Sequence, residues 1–186
     1  MRKDWDIDNI NPSYIFDTTH FKVRKGAHNE LTPNHTHNYF QIWYVLSGSF
    51  WHLINDAEFE QKQGEFVVLP PYVNHQLDAR NCPDVEWIFI DMADNFLSLF
   101  PEGMEKNMVF NLTCLRPLMY SESGTTPVIR FSGEDTMKIE KLLFELLDEY
   151  TNATVLTPVY IRSKLVRLLA FVAERYDSQL TSTDIS

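Results

Sequence analysis

Residues 39–47 read Tyr-Phe-Gln-Ile-Trp-Tyr-Val-Leu-Ser, and both alternating sets are apolar: Phe40, Ile42, Tyr44 and Leu46 on one parity, Tyr39, Trp43 and Val45 on the other. Successive side chains of a strand point to opposite faces, so a strand with one face in water alternates apolar with polar. This segment has to be covered on both faces, which demands a second layer inside and another element outside.

Six further strand patterns surround it: Tyr14 to Phe16, His20 to Arg24, Phe50 to Ile54, Glu58 to Gln61, Glu65 to Leu69 and Trp87 to Met92. Ser47-Gly48-Ser49 and Asn55-Asp56 stand where hairpin turns are needed. No helical period interrupts the run, which predicts a mainly β sandwich or barrel. A less regular stretch from Ala93 to Pro127 and a strand-like Val128 to Phe131 follow. The period then turns helical. Ser132 stands as a cap in box-like spacing with Asp135, ahead of a stripe of Ile139, Leu142, Leu143, Leu146, Leu147 and Tyr150. Thr157-Pro158 opens a second helix carrying Ile161, Leu165, Leu168, Leu169, Val172 and Tyr176. Two amphipathic helices joined by about six residues predict an antiparallel hairpin, one face packed on the sheet and another free for a partner chain. The stripes are wider than one buried face requires, which makes Leu142, Leu146, Leu165, Leu168, Leu169 and Val172 the candidate dimerisation residues.

The 186 residues suffice for one sizeable core, and a formal charge of −10 gives no footprint for a phosphate backbone, so this chain by itself is not expected to bind nucleic acid. Cys82 and Cys114 have neither zinc-ligand nor disulfide-framework spacing, and no apolar run is long enough to cross a membrane, which predicts a cytoplasmic protein. The expected organisation is residues 1–132 as a β domain with an N-terminal arm, 133–178 as the helical hairpin, and 179–186 as the start of a linker.

Candidate chemistry gathers around histidines. His35 and His37, two apart, share one strand face, and the same parity runs on through Tyr39, Gln41 and Trp43. His75 ends the run that starts at Gly64. Three imidazoles with Gln41 as a weak fourth ligand suit a divalent transition metal such as Zn, Ni, Fe or Mn, although no cofactor is required and the same side chains serve equally as polar pocket lining. Trp87 and Phe89 share parity on a later strand, and such rings stack on the C–H faces of sugars or simply pack a core. The candidate ligand-binding set is therefore His35, His37, Tyr39, Gln41, Trp43, His75, Trp87 and Phe89. Arg24 and Arg130 are further polar anchors in principle, and read as solvated strand ends.

His35-Thr-His37, Gln41 and Gly48 resemble the first cupin motif, with Gln41 where that family has glutamate. Gly64, Pro70 and His75 resemble the second, with Tyr72 in the place of a glycine. With the helical hairpin after them, the two motifs resemble the N-terminal half of AraC-type transcriptional regulators. The resemblance implies a cupin-type double-stranded β-helix (jelly roll) followed by a C-terminal antiparallel two-helix hairpin. It further implies a small-molecule effector, a sugar or sugar derivative, no catalytic residues, homodimerisation through the C-terminal helices, and DNA contact through a domain absent from this chain. Two other readings share these residues: a metal-dependent cupin enzyme, an isomerase or dioxygenase using His35, His37, Gln41 and His75, and a stand-alone cupin sugar-binding module.

Overall fold

A computed structural model describes residues 9–10, 21–26, 31–93 and 128–183. Its strands are β1 (Asn9–Ile10), β2 (Phe21–Gly26), β3 (Thr36–His37), β4 (Phe40–Ser47), β5 (Ser49–Ile54), β6 (Ala57–Lys62), β7 (Glu65–Leu69), β8 (His75–Asp78), β9 (Glu86–Met92) and β10 (Val128–Arg130). Helices α1 (Glu134–Thr151) and α2 (Thr157–Thr183) follow. The strand expected at Tyr14 to Phe16 and the irregular stretch from residue 94 to 127 lie outside the described residues.

Two antiparallel sheets form the β layer, a five-stranded one in the order β10-β7-β4-β9-β2 and a three-stranded one in the order β6-β5-β8. A short parallel pair joins β1 to β3. The doubly apolar segment is β4, in the middle of the larger sheet, and its two faces go where the alternation sends them. Trp43 and Val45 meet Val67, Leu69 and Trp87 from their own sheet and Phe50, Ile54, Phe59 and Leu77 from the smaller one, forming the core between the sheets. Ile42 and Tyr44 point the other way and pack with Phe66, Val68, Ile88 and Ile90 against Ile139, Leu143, Leu146, Leu165 and Leu168 of the helices. The fold is mainly β, a jelly roll whose outer face is covered by a helical hairpin.

That packing corrects one expectation. Leu142, Leu146, Leu165, Leu168, Leu169 and Val172 are all buried in the sheet–helix core, so they do not face a partner chain. The apolar width of the stripes is used up by the sheet and by the contact between the two helices. What the hairpin leaves exposed is Met137 and Phe144 on α1, and Val155, Leu156, Val159 and Tyr160 at the hairpin's turn and the start of α2.

Two smaller details also differ. The N-cap of α1 is Gly133 at φ 58° with no side-chain cap bond, so Ser132 contributes its backbone carbonyl to Asp135 N–H and not its hydroxyl. The second helix continues to Thr183, through residues 179–183 that were expected to begin a linker.

Leu146→Ala or Leu168→Ala should cost about 2–5 kcal/mol, the usual range for leucine truncation in a packed core. Phe144→Ala, at a side chain 43% exposed, should cost less than about 1 kcal/mol. Urea unfolding followed by circular dichroism checks both; equal costs at Leu146 and Phe144 would contradict this packing.

Candidate functional site

The inner face of the larger sheet is ordered in cross-strand rows. Lys22, Asp91 and Gln41 are register partners across β2, β9 and β4; Arg24, Phe89 and Trp43 form the next row, and Gly26, Trp87 and Val45 the one after. Residues facing each other across strands interact directly, and here each row has a distinct role. Arg24 lies over the Phe89 ring, 4.1 Å from its centre, and Phe89 stacks on Trp43 at 5.1 Å and 20°. Gly26 makes room for the Trp87 indole, since a Cβ there would lie 2.5 Å from Trp87 Nε1. These rows wall a cavity of 250 Å³ lined by Arg24, Lys25, Gly26, Thr32, Trp43, Leu77, Trp87 and Phe89.

Behind that wall lies a buried polar chain. Asp91 has no exposed surface. Gln41 Nε2 donates to its Oδ1 at 2.8 Å and Arg24 Nη2 to its Oδ2 at 2.9 Å. Burial raises the Asp91 carboxyl pKa, and the bonds from Gln41 and Arg24 oppose that rise. The Gln41 oxygen accepts the indole N–H of Trp43 at 2.6 Å. Gln41 is thereby engaged at both ends, one on a carboxylate and one on an indole.

The histidines gather beside this chain. His35 and His75 pair their backbones through two bonds, 3.0 Å and 2.9 Å, which brings the two sequence motifs face to face. Ring centres lie 4.2 Å apart for His35 and His75, and 4.8 Å for His37 and His75. Tyr39 stacks on His37 at 4.0 Å and 12°. A fourth ring, His52 of β5, lies 6.1 Å from His75 and 6.1 Å from Trp43. Sequence reasoning missed His52, yet the signal was there. In Phe50-x-His52-x-Ile54 it is the one polar residue on an otherwise apolar parity.

Each buried imidazole is held through Nδ1. His37 donates to the Tyr39 carbonyl at 2.7 Å and His75 to the Val73 carbonyl at 3.2 Å. His52 donates to Gln61 Oε1 at 3.0 Å, and the Gln61 amide in turn donates to the carbonyls of Trp43 and Glu65, which keeps its oxygen toward the ring. With Nδ1 carrying the proton, Nε2 is a bare acceptor. The Nε2 atoms of His37, His52 and His75 are buried and have no hydrogen-bond partner among the described residues. Burial lowers the pKa of His37 and His52 to about 4 and that of His75 to about 2, with repulsion from neighbouring histidines adding to it. All three are neutral at physiological pH.

The residues expected to hold a metal do not fit one as placed. Gln41 has its oxygen engaged by Trp43, and among the described residues no three His, Cys, Asp or Glu side chains are arranged to hold an ion. The bare Nε2 atoms are acceptors that a hydrogen-bond donor would satisfy. Of the candidate ligand-binding set, Trp43, Trp87 and Phe89 line the cavity, while His35, His37, Tyr39 and His75 cluster outside its lining and Gln41 bonds Trp43 of the wall. Arg24, read as a solvated strand end, is part of the cavity wall; Arg130 instead bonds Glu65 at 2.8 Å with its side chain 74% exposed.

The lowered histidine pKa values carry a pH dependence with a definite sign. Between about 6.5 and about 4 the unfolded chain binds more protons than the folded one, so stability is full above this window and is lost as pH falls through it. The contribution of His52 alone is on the order of 3 kcal/mol. His52→Phe should flatten the fall of unfolding free energy between pH 6.5 and pH 4, the values that bound the window; an unchanged slope in denaturation at several pH values would contradict this assignment.

Among solved structures the chain is similar to an RmlC-like cupin family protein with a double-stranded β-helix fold from Methanocaldococcus jannaschii, at 18% identity over 42% of this chain and 74% of that one, TM-score 0.37. It is similar to an RmlC-like cupin from Shewanella frigidimarina, at 21% identity over 40% and 67%, TM-score 0.35. A cupin protein from Bacteroides fragilis is similar at 20% identity over 47% and 75%, TM-score 0.36. No curated protein matches the chain. Residues 20–97 match the family model described as AraC-like ligand binding domain. That span contains the aromatic cavity and all four clustered histidines, and over it the chain is similar to AraC-like ligand binding domains.

Proposed function

We propose that the chain is the sensing part of an AraC-type transcription regulator of the cytoplasm, and that its effector is a sugar or sugar derivative bound between the two sheets. The observation that carries this reading is the 250 Å³ cavity inside the matched segment, walled by Trp43, Trp87 and Phe89 with polar groups on either side of them. Aromatic faces stack on the C–H faces of a pyranose, and convergent polar groups fix its orientation. Regulation then follows from differential binding, the effector stabilising one arrangement of the protein over another. DNA contact belongs, in this reading, to a separate domain of the regulator. Catalysis through a metal has little support in the site, because Gln41 is committed to Asp91 and Trp43.

In this reading the protein pairs with a second copy through the surface that the hairpin leaves exposed. Val155 is 93% exposed, and Leu156, Val159 and Tyr160 adjoin it. An exposed apolar group of this kind marks an interaction surface.

A carbohydrate screen by thermal shift tests the sensing reading. An effector at 100 times its dissociation constant should add about 2.7 kcal/mol to the folded state, and Trp43→Phe should weaken its binding by roughly tenfold or more, as loss of an indole stacking face predicts. Ligand binding indifferent to Trp43 and Phe89 would place the effector elsewhere. Sedimentation equilibrium tests the pairing: a dimer that Val155→Asp with Val159→Asp converts to monomer supports it, and a monomer at all concentrations contradicts it.

A further inference from the structure

We propose that the effector is an acidic sugar, a small hydroxylated carboxylate whose anionic end is taken by Arg24. This rests on the sensing reading above and adds the chemical class of the ligand.

The cavity wall is the first ground. It contains two basic side chains, Arg24 and Lys25, and no acidic one, in a chain whose formal charge is −10. Lys25 is engaged by Glu86 at 3.1 Å, so Arg24 is the group to consider. Its guanidinium is fixed twice, by Asp91 at one nitrogen and by the Phe89 ring, whose centre lies 4.1 Å from its central carbon. A guanidinium has five N–H donors. Only the bond to Asp91 is made by this one among the described residues, and its side chain remains 43% exposed. A planar fork held in place from behind loses little freedom on binding, and its free edge matches a carboxylate in a bidentate manner.

Asp91 does not cancel this preference. Its second oxygen is taken by Gln41, and it lies behind the wall with no exposed surface, so it cannot meet the ligand. It sets the orientation of Arg24 and leaves the outward edge for an anion.

The aromatic wall supplies the second ground. Trp43, Trp87 and Phe89 offer faces for the C–H side of a sugar ring beside the Arg24 edge. The histidine Nε2 atoms are buried and outside this lining, so, like Asp91, they do not meet the ligand. A neutral sugar leaves the Arg24 edge unmatched, and an acid without a ring leaves the aromatic faces unmatched.

Isothermal titration of the 186-residue chain with galacturonate and glucuronate, against galactose and glucose, tests the proposal. At least one acid should bind roughly tenfold or more tightly than its parent sugar, as a charge-assisted bidentate contact predicts. Arg24→Gln should bring the acid down to the affinity of the neutral sugar while changing the latter by less than about threefold, and Arg24→Lys, which keeps the charge without the fork, should fall between. Circular dichroism melting establishes that each variant is folded. Equal affinity for acid and parent sugar, or an equal loss of both in Arg24→Gln, would overturn the acidic class and leave the carbohydrate reading intact. If neither acids nor neutral sugars bind while a ligand of another class does, the carbohydrate reading itself falls.

Discussion

Asp91 is a carboxylate with no exposed surface near the end of the largely apolar strand β9, and its charge has to be met inside the protein. Leaving such a group unpaired in a low-dielectric interior costs several kcal/mol, so its partners are fixed by necessity. Those partners are Gln41 and Arg24, from the strands on either side. Gln41 then positions the Trp43 indole through its oxygen, and Arg24 is laid over Phe89. One buried charge therefore holds both the aromatic wall and the cationic edge of the cavity. The same logic governs the histidines, each fixed at Nδ1 by a carbonyl oxygen with its other nitrogen left bare. Polar groups at this site are held from behind, and their free edges face inward or into the cavity.

The amide at position 41, where the resembled cupin motif has glutamate, suits this network. A carboxylate at position 41 would lie against Asp91, its register partner, and two acids there would repel. An amide can donate to Asp91 and accept from Trp43 at once. Gln41 is the link between a buried acid and an aromatic wall.

Much of this was legible in the sequence. The double apolar parity of residues 40–46 demanded two covers, and the structure supplies a second sheet on one side and the helical hairpin on the other. That His35, His37 and His75 come together was expected from their resemblance to the two cupin motifs. What the sequence could not show was the allocation of apolar stripes. A leucine that packs on a sheet and a leucine that packs on a partner chain have the same periodicity, and Leu142, Leu165 and Val172 proved to be core. Cross-strand register was equally hidden, so Asp91 behind Arg24 and Gln41 could not be inferred, and Arg24 read as a solvated end. His52 was overlooked because no motif includes it, although its place between Phe50 and Ile54 marked it as inward.

The most direct test of a site held from behind is the protonation of its imidazoles. Long-range ¹H–¹⁵N correlation spectra of histidine-labelled protein at neutral pH should find His37, His52 and His75 neutral, each protonated at Nδ1 and bare at Nε2. A proton on Nε2 in these rings, or imidazolium at neutral pH, would contradict the account.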